Sequence, residues 1–155
     1  MYQIQFDDDI ETPDTGIPAS LGPLVEHVCT RFEVGKPVHV IITTDDQMRH
    51  LNSTFRGRQE STDVLSFELG GDEFSHLGGE DVSAANEIYV SLPRARVQAE
   101  SQGVSLIDEV NRLVAHGLLH LAGYDHDTPD ALRKMELETE RILRSSVPTD
   151  SEARN

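Results

Sequence analysis

The strongest constraint on this chain is an eleven-residue stretch that holds three of its seven histidines. The stretch reads HGLLHLAGYDH and runs from His116 to His126. His116 and His120 are four residues apart, so a helix places them one turn apart on the same face. Gly123 tolerates the left-handed conformation that commonly ends a helix, which would let the chain carry His126 back toward the other two. The stretch therefore predicts a helix whose end carries a three-nitrogen metal site.

The residues before this stretch predict that the helix is buried. Apolar residues recur at helical spacing from Ile107 to Leu121, and most of the positions between them are apolar as well. Such a pattern is typical of a helix packed inside a protein, where a histidine needs a polar partner. A pair of histidines at this spacing arises often by chance, but the pair followed by a glycine and a third histidine is much rarer. Because Ser105 and Asp108 predict the N-terminal cap, we expect a central buried helix from about Leu106 to Ala122.

Apolar periodicity and turn residues predict the other elements of the chain. The predicted strands are Tyr2–Phe6, Val38–Ile42, Val64–Leu69 and Glu87–Leu92. The other predicted helices are Leu21–Phe32, Thr44–Phe55, Pro93–Gln102 and Ala131–Leu143. Residues 70–85, rich in glycine and acidic residues, predict an exposed loop, and residues 145–155 predict a flexible tail. The order of elements predicts an α+β fold: a single domain over residues 1–155, with a mixed four-stranded sheet packed with about five helices.

Composition limits the environment and the binding partners. The single cysteine, Cys29, cannot form an intrachain disulfide, and the first residues lack the basic and apolar segments of a secretory signal. We therefore expect a cytoplasmic protein, and no apolar run is long enough for a membrane span. The net charge of −15 argues against indiscriminate nucleic-acid binding but leaves room for a small basic cleft. Arginines gather in two short segments, at Arg49, Arg56 and Arg58 and at Arg94 and Arg96.

Three histidines would leave one position of a tetrahedral zinc ion for water, which is typical of catalytic rather than structural sites. The same ligand spacing occurs in zinc proteases with the pattern HExxHxxGxxH. In those enzymes the residue after the first histidine is a glutamate that acts as the general base. In this chain that residue is Gly117, which has no side chain to accept a proton. A peptidase is therefore disfavoured.

The stretch from His116 to His126 resembles the signature of the YbeY endoribonuclease family. A second region also resembles that family, with LNSTFRG starting at Leu51 and TDVLSF ending at Phe67. The last predicted helix is similar in its residues Met135, Glu138 and Glu140. The resemblance covers roughly residues 51–143, and the order of elements fits the whole chain.

Two positions depart from the family pattern. Asn86 and Glu87 stand where the family usually has Gly-Asp, so the negative charge is kept and the glycine is lost. Phe55 stands where tyrosine is common, which removes a hydroxyl group. The first departure makes the local turn before the fourth strand uncertain.

The resemblance implies a metal-dependent endoribonuclease that cleaves single-stranded RNA in ribosomal RNA maturation and ribosome quality control. It implies that His116, His120 and His126 bind one zinc ion, with another divalent metal such as nickel as an alternative. Arg56 matches the family's functional arginine and is the predicted catalytic and substrate-binding residue. A guanidinium suits this role because its forked donors match a phosphate group. The implied partners are ribosomal RNA and the small ribosomal subunit.

Two other functions stay open from the sequence. One is a metal-dependent hydrolase acting on another substrate, such as a peptide or a small ester. The other is a non-catalytic ribosome-assembly factor whose metal stabilises the fold. The roles of two aspartates are open as well: Asp63 could orient its neighbours or take part in catalysis, and Asp125 could hold a ligand's second nitrogen or serve as a turn residue.

Overall fold

The fold was obtained as a computed structural model, which describes residues 2–10, 16–34, 37–68, 86–124 and 127–146. The strands in these ranges are β1 (Tyr2–Phe6), β2 (Val38–Thr43), β3 (Val64–Glu68) and β4 (Asn86–Ser91). The helices in these ranges are α1 (Gly16–Arg31), α2 (Asp45–Arg56), α3 (Leu92–Gln102), α4 (Leu106–Leu121) and α5 (Pro129–Ser146). The predicted α+β fold, with a mixed four-stranded sheet and five helices in the described part of the chain, is confirmed.

The strands form one sheet in the order β1-β2-β4-β3. β1 pairs with β2 and β2 with β4 in parallel, whereas β3 runs antiparallel to β4 at the edge of the sheet. β2 is central and buried along nearly its whole length, as expected for a β-branched strand covered on both faces. In β4, Asn86 is buried and its N–H donates to the carbonyl of Pro37. The departure at Asn86-Glu87 therefore lies within a regular strand.

Helices cover both faces of this sheet. On one face, α1 and α4 pack against apolar residues of β2 and β4 and enclose the larger core. On the other face, Met48 and Leu51 of α2 pack against Leu65 and Phe67 of β3. Side chains alternate between the two faces of a strand. Neighbouring residues of β3 therefore contact different helices, which places β3 between α2 and α4.

Helix α4 is the predicted central helix, and most of its residues are buried. Val110, Val114 and Leu118 are fully buried, as predicted from their spacing. Ile107, also predicted to pack there, lies in the first turn and is only partly buried, but it packs against the same core. The predicted cap is confirmed, since the hydroxyl of Ser105 accepts the N–H of Asp108 at 3.0 Å.

Some predicted boundaries are wrong. α1 begins at Gly16 rather than Leu21, because the buried Ile17 extends its apolar face into the predicted loop. Pro18 is tolerated there because the first turn has no helical partner for its missing N–H. α5 extends to Ser146, two residues into the predicted tail. The predicted loop 70–85 and the tail from residue 147 lie outside the described residues.

Within the same ranges, no helix has both the length and the apolar character that crossing a membrane would require.

Candidate active site

A cleft of about 630 Å³ lies beside the edge strand β3, between the C-terminal end of α2 and the helices α4 and α5. Its polar lining residues are Arg56, Thr62, Asp63, Ser66, Glu68, His116 and His120. The structure therefore brings together three of the predicted site residues, although Arg56 precedes the histidines by about sixty residues in the chain. Apolar residues of α4 and α5, including Leu121 and Met135, complete the wall.

Arg56 is positioned by the end of α2 and by β3. The helix ends immediately after it, because Gly57 adopts the left-handed conformation with φ = 67°. Nη2 of Arg56 donates to the backbone carbonyl of Ser66 at 2.8 Å, and the guanidinium carbon lies 5.2 Å from the centroid of the Phe67 ring. The side chain is held on two sides while the residue stays exposed.

Arg56 differs from Arg49, Arg58 and Arg94 in its ion pairing. Arg49 pairs with Asp45 and Asp46 of its own helix, Arg58 lies 3.9 Å from Glu60, and Arg94 pairs with Asp45. In the described part of the chain, Arg56 forms no ion pair with a carboxylate. Its positive charge is therefore available to an anion that enters the cleft.

His116 lies in the third turn of α4 and is half-buried. Burial lowers the pKa of this imidazole, and the positive charge of Arg112 one turn earlier and the neighbouring His120 lower it further. Asp63 and Glu136 act in the opposite direction and only partly offset the effect. His116 is therefore a neutral imidazole at pH 7, which is the form that binds metals.

His120 is held by the turn that ends α4. Its Nδ1 lies 3.1 Å from the carbonyl oxygen of Tyr124. A carbonyl can only accept, so Nδ1 carries the hydrogen and Nε2 carries the lone pair in the neutral ring. The predicted turn at Gly123 is confirmed by its φ of 104°, which a residue with a side chain rarely adopts. Metal-binding histidines commonly make such a second hydrogen bond to a carbonyl.

The chemistry of these two histidines fits a metal site. One is neutral because it is buried, and the other is fixed in a tautomer that directs its lone pair away from the backbone. The third predicted ligand, His126, and its neighbour Asp125 lie outside the described residues. Within the described ranges, no group of three histidine, cysteine, aspartate or glutamate side chains is arranged to hold a metal ion. The three-histidine site therefore remains a prediction.

Gly117 packs against the sheet. A Cβ at this position would lie 2.8 Å from Oγ of Ser66 and 3.0 Å from Cγ2 of Ile88. The helix can approach β3 and β4 this closely only because residue 117 has no side chain. A glutamate, as found here in the zinc proteases, would not fit without displacement of the helix, which agrees with the prediction against a peptidase.

Asp63, which directly precedes β3, and Ser66, which lies within β3, complete the polar side of the cleft. The Asp63 carboxylate accepts a hydrogen bond from Nε2 of Gln98 at 3.2 Å, so α3 fixes its orientation. Ser66 lies in the middle of β3, and the sequence prediction assigned it no role. The only sequence signal for Ser66 was a small polar residue between Leu65 and Phe67. That signal was weak, because the ordinary alternation of polar and apolar residues in a strand produces the same pattern.

Comparison with known proteins identifies the class of enzyme that this fold and cleft represent. A family model described as endoribonuclease YbeY matches residues 7–146. The chain therefore belongs to the endoribonuclease YbeY family, and the predicted class of enzyme, an endoribonuclease, is confirmed.

Individual relatives agree with this result. The endoribonuclease YbeY of Geobacillus kaustophilus is 39% identical over 112 residues, which cover 70% of this chain and 72% of the relative. That of Wolinella succinogenes is 38% identical over 126 residues, covering 81% and 83%. That of Bacillus mycoides is 32% identical over 147 residues, covering 92% and 94%. A solution structure of a Thermotoga maritima protein is similar with a TM-score of 0.58 and 27% identity, covering 97% of both chains.

Proposed function

We propose that this protein is a metal-dependent endoribonuclease that cleaves single-stranded RNA during the maturation of ribosomal RNA. The observation that carries the proposal is the cleft itself, which Arg56, His116 and His120 line together. An arginine that forms no ion pair among the described residues, together with the neutral imidazole of His116 and the oriented imidazole of His120, forms a site suited to a phosphodiester. Family membership supports RNA as the substrate.

His116, His120 and His126 would hold one zinc ion, or another divalent metal such as nickel. When bound, such an ion supplies Lewis-acid chemistry and can lower the pKa of water to about 7. The chain contributes the conditions for binding. Burial keeps His116 neutral, and the Tyr124 carbonyl holds the proton of His120 on Nδ1.

Arg56 would bind the phosphate group at the cleavage site. Its hydrogen bond to Ser66 and its contact with the Phe67 ring fix the side chain before RNA arrives, and a guanidinium has further N–H donors. Fixed donors directed at developing negative charge stabilise the transition state of phosphoryl chemistry. Arg56 would therefore act both in substrate binding and in catalysis.

The partners we propose are ribosomal RNA and the small ribosomal subunit, in the cytoplasm, with a further role in ribosome quality control. The net charge of −15 supports selectivity, because an acidic surface repels RNA that is not held by specific contacts. Two alternatives are a metal-dependent hydrolase with another substrate and a non-catalytic assembly factor with a structural metal. The close packing of Gly117 disfavours a zinc-protease type of mechanism.

Metal removal tests the proposal. We expect that cleavage of a fluorescent single-stranded RNA is lost after chelation and dialysis and returns when zinc or nickel is added back. Circular dichroism of the chelated protein checks that it stays folded. Full cleavage by the folded, metal-free protein would contradict the proposal. A large drop in Tm on chelation, without RNA cleavage by the metal-loaded protein, would instead favour the assembly factor.

A further inference from the structure

Ser66 contacts both halves of the cleft. Its backbone carbonyl accepts the hydrogen bond from Nη2 of Arg56 at 2.8 Å. Its hydroxyl donates to the backbone carbonyl of Gly117 at 3.2 Å. Gly117 directly follows His116 and precedes His120 by three residues, so this hydrogen bond holds α4 between the two histidines. One residue of β3 therefore connects the arginine to the helix that carries the imidazoles.

The two contacts depend on the position of β3 in the sheet. In the described part of the chain, β3 pairs with β4 alone, and no described strand lies on its other side. On that side, the carbonyl of Ser66 accepts the hydrogen bond from Nη2 of Arg56. The side chain of Ser66 points from the sheet toward α4, on the same face as its register partner Ile88.

Ser66 packs tightly against α4. A Cβ on Gly117 would lie 2.8 Å from Oγ of Ser66, closer than carbon and oxygen atoms normally approach. The separation between strand and helix is set by the serine hydroxyl on one side and the bare glycine backbone on the other. Loss of the hydroxyl removes both the hydrogen bond and the atom that fills this space.

We propose that Ser66 is a positioning residue that sets the separation between the Arg56 guanidinium and the imidazoles of His116 and His120. The inference rests on the proposed function, because this separation affects the reaction only if one phosphate group contacts both sides of the cleft. Positions of fixed donors matter most in the transition state, so a shift of the helix relative to the arginine lowers kcat more than it weakens RNA binding.

Ser66→Ala tests the proposal, and Ser20→Ala is its matched control. Ser20 also makes a side-chain hydrogen bond to α4, since its hydroxyl accepts from Nδ2 of Asn111 at 2.8 Å, but it does not line the cleft. The two variants thus lose the same group against the same helix. We expect Ser66→Ala to lower kcat for RNA cleavage about tenfold while KM changes less than about twofold. Ser20→Ala should leave both constants at wild-type values.

A second measurement does not depend on cleavage. In proton–nitrogen NMR spectra of the metal-free and RNA-free protein, Ser66→Ala should shift the imidazole resonances of His116 and His120 and the Nε–H resonance of Arg56. Ser20→Ala should leave them in place. If the wild-type protein failed to cleave RNA, the proposed function would fail, and these resonances would still decide whether Ser66 positions the site. Unchanged resonances, or a wild-type kcat in folded Ser66→Ala protein, would overturn the inference.

Discussion

Arg56 is the residue whose substitution best separates catalysis from folding. Its guanidinium donates to a backbone carbonyl and contacts an aromatic ring, and it is exposed, so its removal disturbs little of the core. We expect Arg56→Ala to lower kcat for RNA cleavage about 100-fold, the usual scale for the loss of one transition-state donor. Zinc affinity and the free energy of unfolding should change little, the latter by less than about 0.5 kcal/mol. Steady-state kinetics, zinc titration and urea unfolding measure the three quantities.

Arg58→Ala is the matched control for this prediction. Arg58 lies two residues further on, is exposed and pairs with Glu60, but does not line the cleft. Its loss should leave cleavage unchanged. Arg56→Lys should restore only part of the activity, because lysine lacks the two-pronged fork of a guanidinium. Wild-type kcat in folded, metal-loaded Arg56→Ala protein would remove Arg56 from the proposed mechanism.

Gly117 supports a prediction about stability. Gly117→Ala adds a Cβ that meets Ser66 and Ile88 at 3.0 Å or less. Because both contacts lie in packed strands, we expect the substitution to lower the free energy of unfolding by about 1–3 kcal/mol. Gly22→Ala is a suitable comparison, since Gly22 also lies within a helix and its added Cβ meets the far end of the Tyr2 side chain, with Oη at 2.5 Å and Cζ at 3.1 Å.

At Gly22 the tip of one partly exposed side chain must shift rather than a packed strand, and alanine has the better helix propensity, so we expect a smaller loss of stability than at Gly117. Urea unfolding of the two variants measures the contrast. Equal stability changes at the two positions would show that the α4–β3 packing is less tight than the structure indicates.

At the scale of the element, the first turn of α2 is anchored by Asp45. Its Oδ1 accepts hydrogen bonds from Ser61 at 2.6 Å, Arg94 at 2.9 Å and Ser91 at 3.2 Å. Burial alone would raise the pKa of Asp45, but the hydrogen bonds from Ser61 and Arg94, the charge of Arg94 and the bond from Ser91 together lower it. The carboxylate therefore ties α2 to β4, to α3 and to the segment that leads into the cleft.

Asp45 should make the stability of the protein depend on acid pH. A lowered folded-state pKa means that its contribution is fully present above the ordinary aspartate pKa of about 3.9 and is lost as the pH falls through the lowered value. We expect Asp45→Asn to cost about 1 kcal/mol at pH 7 and less at about pH 3, below the ordinary aspartate pKa, where the contribution begins to be lost. Asp46→Asn is the control, because Asp46 lies in the first turn of the same helix but is largely exposed, and among the described residues its ion pair is with Arg49. Urea unfolding at both pH values tests the difference, which a constant effect of Asp45→Asn would contradict.

The start of a helix was predictable from the sequence where a capping side chain defines it. Thr44 accepts the N–H of Gln47 as the predicted cap of α2, and Ser105 caps α4 in the same way. The start of α1 was not predictable, because two prolines and a glycine locally favour a loop while burial of Ile17 favours a helix. Only the packed core, which the local sequence does not show, decides between them.

At the scale of the whole molecule, the sequence predicted four strands but not their neighbours. Strand order depends on contacts between distant segments, and nothing in the alternation of β3 indicates that it is an antiparallel edge strand. The same limit applies to the site. The spacing of His116 and His120 predicted a shared helix face, whereas the contacts that bring Arg56 to them pass through Ser66 and exist only in the folded chain.

The acidic charge of the molecule should give its RNA cleavage a weak dependence on salt. One phosphate contact on single-stranded RNA contributes a slope of about −0.7 in log affinity against log salt. Screening of the repulsion between RNA and a surface of net charge −15 acts in the opposite direction. Between about 50 and 300 mM NaCl, we therefore expect kcat/KM to fall less than about fivefold. A fall of 100-fold or more would indicate several basic contacts to the RNA backbone instead of one.

The hydrogen bond between Arg56 and the carbonyl of Ser66 also has a consequence for self-association. Among the described strands, β3 (VLSFE) has a neighbour on one side only, and a strand with a free side can pair with the same strand of another molecule, which is a common route to aggregation. Arg56 occupies one backbone acceptor on that side and places a charge beside it. We therefore expect Arg56 also to limit self-association at high concentration. Light scattering of the Arg56→Ala protein should precede any assignment of a change in its activity to chemistry.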